Sequence, residues 1–302
     1  MRLGFGLSPF QRYPDLAALQ QTLRLAEEMG LDAASIGDHA VMPYSHAKTV
    51  SPFWHDPIVT GTVIATGTKR LGILYNVFVL PYHHPVILAK SLATLDVFSG
   101  GRVTVGVGVG WIKEEFEALG VPFNERGALT DEYIKVMRTL WNEEKPAFQG
   151  QYISFDNIAF QPRPLQRPLP IIIGGGTQKT LERAAALGDG WHPLGRTWST
   201  LTKDVAELKR LLAARGRSME GFRMGYTLYY SGAAGQTQRH TSLAGGEEAS
   251  SLSTDIGEAR EQVARLKELG VSYITLRFRG LTHTELCEAM ARFAKDALPK
   301  LR

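Results

Sequence analysis

The stretch RLGILYNVFVLPYHHPVILAKSLATLDVFSGGRVTVGVGVGW, residues 70–111, contains two short apolar runs, GILYNVFVL at 72–80 and RVTVGVGV at 102–109. A helical segment separates them, and apolar runs that alternate with helical segments are typical of parallel strands joined by helical crossovers. The same pattern recurs along the whole chain, so that eight runs are predicted as strands. The other six are LGFGL at 3–7, DAASI at 32–36, PIIIG at 170–174, GWHPL at 190–194, RMGYTLYY at 223–230 and YITLRF at 273–278.

Eight units of strand and helix predict a closed (β/α)8 TIM barrel of the α/β class, with an open doubly wound sheet as the alternative. Two segments interrupt the alternation of strands and helices and are predicted as insertions after strands four and seven. Residues 148–170 alternate like a hairpin and then turn proline-rich before strand five. Residues 231–254 are rich in glycine, serine and threonine, which predicts a mobile loop or lid. Neither segment resembles a linker, so one domain is expected over residues 1–302.

The composition is that of an ordinary globular protein, with 44% hydrophobic and 21% charged residues among 302. The 34 basic and 30 acidic residues give a net charge of +4 without a clustered basic stripe, so we expect a small-molecule substrate and no nucleic acid. Cys287 is the only cysteine, which favours a reducing compartment. No secretory signal and no run of about 18 apolar residues is present, so we expect a cytoplasmic protein with no membrane partner.

A carboxylate and an imidazole stand together in ASIGDHAVMPY, residues 34–44, directly after the predicted second strand. In a barrel the loops at the carboxyl ends of the strands build the active site, so Asp38 and His39 face it. An imidazole exchanges protons near neutral pH, and a neighbouring carboxylate can orient it. From the dipeptide alone, a second interpretation stays open, in which Asp38 caps a turn and His39 packs or points to solvent.

Glycines end two of the predicted strands. Strand four ends with Gly106, Gly108 and Gly110, and strand five ends with Gly174–Gly176 followed by Thr177. Glycine lets a backbone approach a flat ring or a phosphate, and the amides at a following helix start bind anions. Neither cluster matches a dinucleotide fingerprint or a P-loop, so a tight turn remains the alternative for each.

Metal binding and nucleophilic hydrolysis are not predicted. His83 and His84 are adjacent and diverge on any regular element, and strand one ends in Gly-Leu-Ser rather than in paired ligands. No serine stands in a G-x-S-x-G elbow, and Cys287 lies in a helical stretch away from the expected face.

Taken together, these residues resemble the luciferase-like flavin and deazaflavin oxidoreductase family. The resemblance runs from Met1 to about Trp191 and through the last two units, and its most specific parts are residues 70–111 and LPIIIGGGTQKTLERAAALGDGW at 169–191. It implies a (β/α)8 barrel that holds a flavin or deazaflavin ring in its mouth.

The resemblance also implies which residues bind the cofactor. A bulge at the end of strand three, often built on a non-prolyl cis peptide, backs the ring in this family, and the matching bond is Asn76–Val77. Gly108, Val109 and Gly110 match the segment that lies along the ring. Gly174 precedes the phosphate position, which is expected near Gly175, Gly176 and Thr177.

The pair Asp38–His39 aligns with the Asp-His pair of the deazaflavin-dependent members. By that resemblance, Asp38 contacts the ring, and His39 hydrogen-bonds the substrate and exchanges a proton as hydride moves to or from the ring. The implied function is an oxidoreductase dependent on the deazaflavin coenzyme F420, and we expect a homodimer. The alternatives are a two-component monooxygenase that uses reduced FMN and, less favoured, a non-catalytic flavin-binding protein.

One position departs from part of the family. The sugar-phosphate dehydrogenases of this family carry a glutamate at the position of Trp111, so a sugar-phosphate substrate is not expected here. Instead, Trp111, Trp54, Phe53 and Tyr44 predict an aromatic, apolar mouth.

Overall fold

The computed structural model describes most of the chain. The residues described are 1–47, 50–194, 196–230, 240–242, 246–249, 251–278 and 281–301.

Eight parallel strands close into a barrel, as predicted. They are β1 (Arg2–Gly6), β2 (Ala33–Ile36), β3 (Gly72–Tyr75), β4 (Val103–Gly108), β5 (Ile171–Gly174), β6 (Gly190–His192), β7 (Arg223–Tyr230) and β8 (Val271–Phe278). Each strand pairs with its neighbours in chain order. The ring closes because β1 also pairs with β8, with Gly4 opposite Thr275. This closure excludes the open sheet.

A helix follows each strand and covers the outside of the barrel. The eight helices are α1 (Leu16–Glu28), α2 (Pro57–Gly67), α3 (Pro85–Ser99), α4 (Arg126–Asn142), α5 (Gln178–Leu187), α6 (Trp198–Ala213), α7 (Ile256–Leu269) and α8 (His283–Asp296). Side-chain caps start six of them, all but α3 and α4: the Asp15 carboxylate accepts from the Ala18 amide at 2.8 Å, for example. Among the described residues, every helix is too short or too polar to cross a membrane.

The third strand is interrupted by a bulge. Leu74 lies opposite Thr104, and pairing resumes with Phe78 opposite Val107. Between these two paired positions the third strand contains one residue more than β4 does. The peptide bond Asn76–Val77 inside this bulge is cis. The bulge and the cis bond are therefore present at the position that the resemblance implied.

Glycines on the neighbouring strands make room for the bulge. A Cβ atom at Gly108 would lie 2.8 Å from Val77 Cγ2, and one at Gly174 would overlap Val77 Cγ1. At Gly106 the clash would be with the Tyr75 carbonyl oxygen, which belongs to the backbone and cannot rotate away. Part of the glycine pattern is thus explained by packing against the third strand.

Substitution of Gly106 by alanine is expected to lower the free energy of unfolding by about 3 kcal/mol, the upper end of overpacking costs, because backbone must move. Chemical denaturation followed by circular dichroism measures this. Gly67→Ala is the matched control, since a Cβ at Gly67 meets nothing nearer than Gln20 Cγ at 4.0 Å. Equal stability of the two variants would contradict the packing argument.

The two predicted insertions have different outcomes. Residues 148–170 do contain a hairpin, in which Phe148–Gln149 pairs antiparallel with Ser154–Phe155. It joins α4 to β5, so it lies on a helix-to-strand connection, at the end of the barrel away from the active-site loops. The predicted lid at 231–254 lies largely outside the described residues; within it, His240–Ser242 and Gly246–Ala249 form an antiparallel pair.

Candidate active site

Three loops at the carboxyl ends of the strands meet at a buried carboxylate, Glu115. It lies on the short helix Lys113–Ala118 after β4 and has no solvent-exposed surface. Its carboxylate accepts hydrogen bonds from His39 Nδ1 at 2.8 Å, from the Ala40 amide at 3.0 Å and from the Tyr82 hydroxyl at 3.1 Å. Glu115 therefore ties together the loops that follow β2, β3 and β4.

These contacts fix the orientation of the His39 ring. Because a carboxylate only accepts hydrogen bonds, Nδ1 is assigned the proton. Burial, followed by the charge of Glu115, raises the pKa of Tyr82, so its phenol stays protonated and donates. Nε2 of His39 has no hydrogen-bond partner among the described residues, and the side chain is 12% exposed. His39 thus presents one ring nitrogen that can exchange a proton.

Asp38 has structural partners. Its carboxylate is buried and accepts from the Val79 amide at 2.9 Å and bonds His83 Nε2 at 2.7 Å. Both contacts are to residues just beyond the bulge, so Asp38 holds the third strand beside the β2 loop. The expected contact of Asp38 with a cofactor ring stays a prediction.

Of the four aromatic residues expected at the mouth, Trp54 lies against the candidate catalytic group. Its ring centroid is 4.6 Å from that of His39, with the planes tilted by 58°. Trp111 packs edge-on against another imidazole of the β2 loop, His46, at 5.4 Å. Tyr44 and Phe53 are 97% and 59% exposed. Trp54 therefore covers one side of His39, and the other rings present apolar surface to solvent.

A chain of polar side chains crosses the interior of the barrel below the bulge. His192 on β6 is fully buried; its Nε2 lies 3.1 Å from Asn76 Nδ2 and 2.9 Å from Thr227 Oγ1, and its Nδ1 lies 3.1 Å from the Tyr273 hydroxyl. Burial, with the charge of Arg277 next, lowers the pKa of His192 to about 3. The ring is therefore neutral at physiological pH and accepts the Asn76 amide proton, which fixes the Asn76 side chain.

Two buried polar atoms in this region lack a partner among the described residues, Asn76 Oδ1 and Thr275 Oγ1. Thr275 shares the inward face of β8 with Tyr273, since side chains of a strand alternate between its faces. Buried polar groups are nearly always hydrogen-bonded, so these two atoms point to a polar ligand or water. A flat heterocycle with N–H and carbonyl groups fits them.

The predicted phosphate position lies at the start of α5. Gly175 has a φ of 128°, a backbone conformation that favours glycine, and its amide donates to the His192 carbonyl at 3.1 Å. Thr177 caps α5 by accepting from the Thr180 amide at 3.2 Å. The Arg196 guanidinium donates to the Gly176 carbonyl and pairs with Asp204 at 2.7 Å. A helix start beside a guanidinium is suited to an anion.

The remaining predicted residues follow β4. Val109 is half-buried, and Gly110 has a φ of 78°; a Cβ there would lie 2.6 Å from Val79 Cγ1 and 2.8 Å from the Phe116 ring. Gly110 thus lets the short helix that carries Glu115 pack onto the third strand. All the residues expected around the cofactor lie at the carboxyl ends of β2 to β5, and their contact with a cofactor stays a prediction.

Within the described ranges, no group of three or more His, Cys, Asp or Glu side chains could hold a metal ion.

Comparison with known proteins gives matches over most of the chain. The sequence model of the family described as luciferase-like monooxygenase matches residues 1–262. An uncharacterized protein from Mycobacterium tuberculosis is 36% identical over 207 residues, covering 64% of this chain and 73% of that protein. The FMNH(2)-dependent dimethylsulfone monooxygenase of Pseudomonas putida is 29% identical over 170 residues, covering 55% of this chain and 47% of that enzyme. The solved structure of an F420-dependent secondary alcohol dehydrogenase with an F420-acetone adduct has a TM-score of 0.79 at 19% identity, covering 100% of this chain and 99% of that one.

Proposed function

The chain belongs to the luciferase-like monooxygenase family, and from that premise we propose that it transfers a hydride between coenzyme F420 and a small organic substrate. In this proposal His39 donates or accepts the proton. One observation carries it: a buried carboxylate, Glu115, holds Nδ1 of His39 at 2.8 Å, which leaves Nε2 unpartnered within the described part of the chain. The alcohol dehydrogenase named above, a fold relative, is F420-dependent by name.

The residues that would hold the coenzyme lie around the bulge. The Asn76–Val77 segment would back the ring, with Asp38 beside it. Gly108, Val109, Gly110 and Gly174 would line it, and Gly175, Gly176 and Thr177, with Arg196, would hold the phosphate. When bound, F420 supplies a ring carbon that accepts or gives up a hydride, and the carbon that replaces the flavin nitrogen disfavours oxygen chemistry.

The residues of the chain would manage the proton. If the substrate is an alcohol, Nε2 of His39 accepts the hydroxyl proton as the carbon is oxidised, and in the reverse direction it returns that proton to the carbonyl oxygen. The carboxylate of Glu115 stabilises the imidazolium that forms and keeps the ring in one orientation. Trp54 covers the ring and limits the access of water.

The alternative keeps the fold and uses reduced FMN and oxygen. It is supported by the similarity to a monooxygenase that is FMNH(2)-dependent by name. The residues expected at the ring do not distinguish the two cofactors, because both rings would occupy the same mouth. A non-catalytic flavin-binding protein is less favoured, because all eight strands and helices of the barrel are present and His39 is held with an unpartnered nitrogen.

Titration with F420 and with FMN, followed by ring fluorescence, tests this proposal. We expect F420 to bind more tightly than FMN by about tenfold or more. We also expect the bound coenzyme to be reduced by at least one member of a panel of alcohols and hydroxy acids. Tight binding of FMN without binding of F420 would favour the monooxygenase. Binding of F420 without reduction by any panel member would count against hydride transfer.

We also propose that the protein is a homodimer joined through α2 and α3. These neighbouring helices expose Val59, Ile87 and Phe98, the last 76% exposed, and α2 carries no charged residue. A second copy could bury these exposed apolar side chains in a two-fold contact. Sedimentation velocity should show a dimer for the wild type and a monomer for Phe98→Glu; a monomeric wild type would contradict the proposal.

A cytoplasmic location is part of the proposal. It is supported by the use of a single cysteine, Cys287, which leaves no disulfide to form within the chain.

A further inference from the structure

Arg277 stands on the inward face of β8 near the mouth of the barrel. It follows Tyr273 and Thr275 at two-residue spacing, and a Cβ at Gly6 on β1 would lie 3.2 Å from its Cγ, so glycine leaves room for the arginine stem. Its Nε is buried and lacks a hydrogen-bond partner among the described residues.

A second guanidinium lies close by. Arg12, in the turn after β1, is 5% exposed; its Nε donates to the Pro9 carbonyl at 3.1 Å and its Nη2 to the Phe278 carbonyl at 2.8 Å. Its Nη1 is buried with no partner in the described part of the chain. Burial, and then the charge of Arg277, lower the pKa of Arg12. The two positive charges therefore lie close enough to repel each other.

Neither guanidinium forms an ion pair with a carboxylate within the described ranges. Buried charges are usually paired, because desolvation of an unpaired charge is costly, and each of these groups also leaves an N–H unsatisfied. Two like charges held together add repulsion to that cost. An anion between them would satisfy both the charge and the N–H groups.

We propose that Arg277 and Arg12 bind an oxyanionic group of the substrate, in the first place a carboxylate. A carboxylate offers two oxygens to the fork of a guanidinium, which is the geometry of the strongest charge-assisted pairs. The group would anchor the substrate and take no part in bond changes. The claim that the anion belongs to the substrate of a hydride transfer rests on the proposed function. The claim that an anion binds at all rests on the two arginines alone.

The location separates this anion from the coenzyme phosphate. Arg277 is on β8 and Arg12 follows β1, whereas the phosphate position at Gly175–Thr177 follows β5, on the opposite side of the closed ring of strands. On the near side, β1 pairs with β2, with Gly6 opposite Ser35, and His39 follows that strand. A substrate anchored at the arginines would therefore extend toward His39.

Calorimetric titration of the full chain, with and without F420, uses benzoate, phenylphosphate and the neutral benzamide as probes. We expect benzoate to bind about tenfold or more tightly than benzamide. Arg277→Met should weaken the binding of benzoate by a similar factor and leave the affinity for benzamide unchanged. Arg24→Met, at an exposed position on α1, is the control and should change neither. Arg12→Met is assayed only if its thermal unfolding matches the wild type, because Arg12 also holds two backbone carbonyls.

The results distinguish this inference from the proposed function. Equal affinity for benzoate and benzamide, or benzoate binding that survives Arg277→Met, would overturn the anion site. A loss of F420 affinity in Arg277→Met with benzoate binding intact would also overturn it and assign the guanidinium to the ring. If benzoate binding depends on Arg277 but F420 does not bind the wild type, the anion site stands and the proposed function fails. Tighter binding of phenylphosphate than of benzoate, again dependent on Arg277, would support the site with phosphate as its preferred oxyanion.

Discussion

Replacement of His39 by alanine is expected to reduce turnover with F420 by about 10² or more, because general acid–base catalysis by a positioned side chain contributes about that factor. The affinity for F420 should change little, since the imidazole is proposed to contact the substrate rather than to hold the ring. Stopped-flow reduction of the bound coenzyme measures the hydride step, and fluorescence titration measures the affinity.

Two comparisons make this test specific. His46→Ala removes another imidazole of the same loop, one that packs against Trp111, and should leave turnover within about twofold, as is usual for residues outside the transition state. Turnover of His39→Ala equal to that of the wild type would remove His39 from the mechanism. An equal loss in both variants would indicate that the loop, and not the His39 ring, is responsible.

Replacement of Glu115 by glutamine is expected to reduce turnover by about tenfold or more and the free energy of unfolding by about 2–3 kcal/mol. The amide keeps the volume but loses the charge, and with an NH2 group in place of one oxygen it can no longer accept from both the His39 ring and the Ala40 amide. The ring would then be free to take the other tautomer or to turn. Urea denaturation and stopped-flow kinetics measure the two effects.

Glu114→Gln is the matched control, because Glu114 is the exposed neighbour of Glu115 on the same short helix. It should change neither stability nor turnover by more than a surface substitution does, about 0.5 kcal/mol. Tyr82→Phe removes one donor to Glu115 and should have an intermediate effect on stability. If Glu115→Gln lowers stability but leaves turnover unchanged, Glu115 is a structural residue and does not position His39.

The sequence was sufficient for the barrel because its signals are local. Each strand is a short apolar run and most of the helices have their own cap, such as Asp15, so the order of elements is readable without knowledge of distant contacts. The bulge at Asn76–Val77 was indicated by resemblance to a known family. No periodicity in the apolar run at 72–80 would have located it.

The partners of the site residues were missed because they are fixed by packing between loops. Glu115 belongs to KEEFEA, a segment that reads as a solvated helix, and its burial becomes visible only when the loops after β2 and β4 meet. His192 was already within a predicted strand, GWHPL, and alternation along that strand could have placed it inside the barrel. Arg277 lies within the predicted strand YITLRF in the same way.

The glycines illustrate how one pattern can serve two purposes. The resemblance placed Gly108 along a cofactor ring and Gly174 just before its phosphate position, and the structure places both against Val77. Both statements are compatible, because the bulge that is proposed to back the ring needs space on the strands behind it. Sequence alone could not separate the two purposes, since the side chain that both glycines accommodate, Val77, comes from another strand.

A crystal structure of the chain with F420 and benzoate tests the central claim most directly. We expect the deazaflavin ring against the Asn76–Val77 segment, with His39 Nε2 directed at the space between the ring and the bound probe, and its Nδ1 still on Glu115. A ring bound elsewhere on the protein, or an imidazole turned away from the mouth in the complex, would contradict the account.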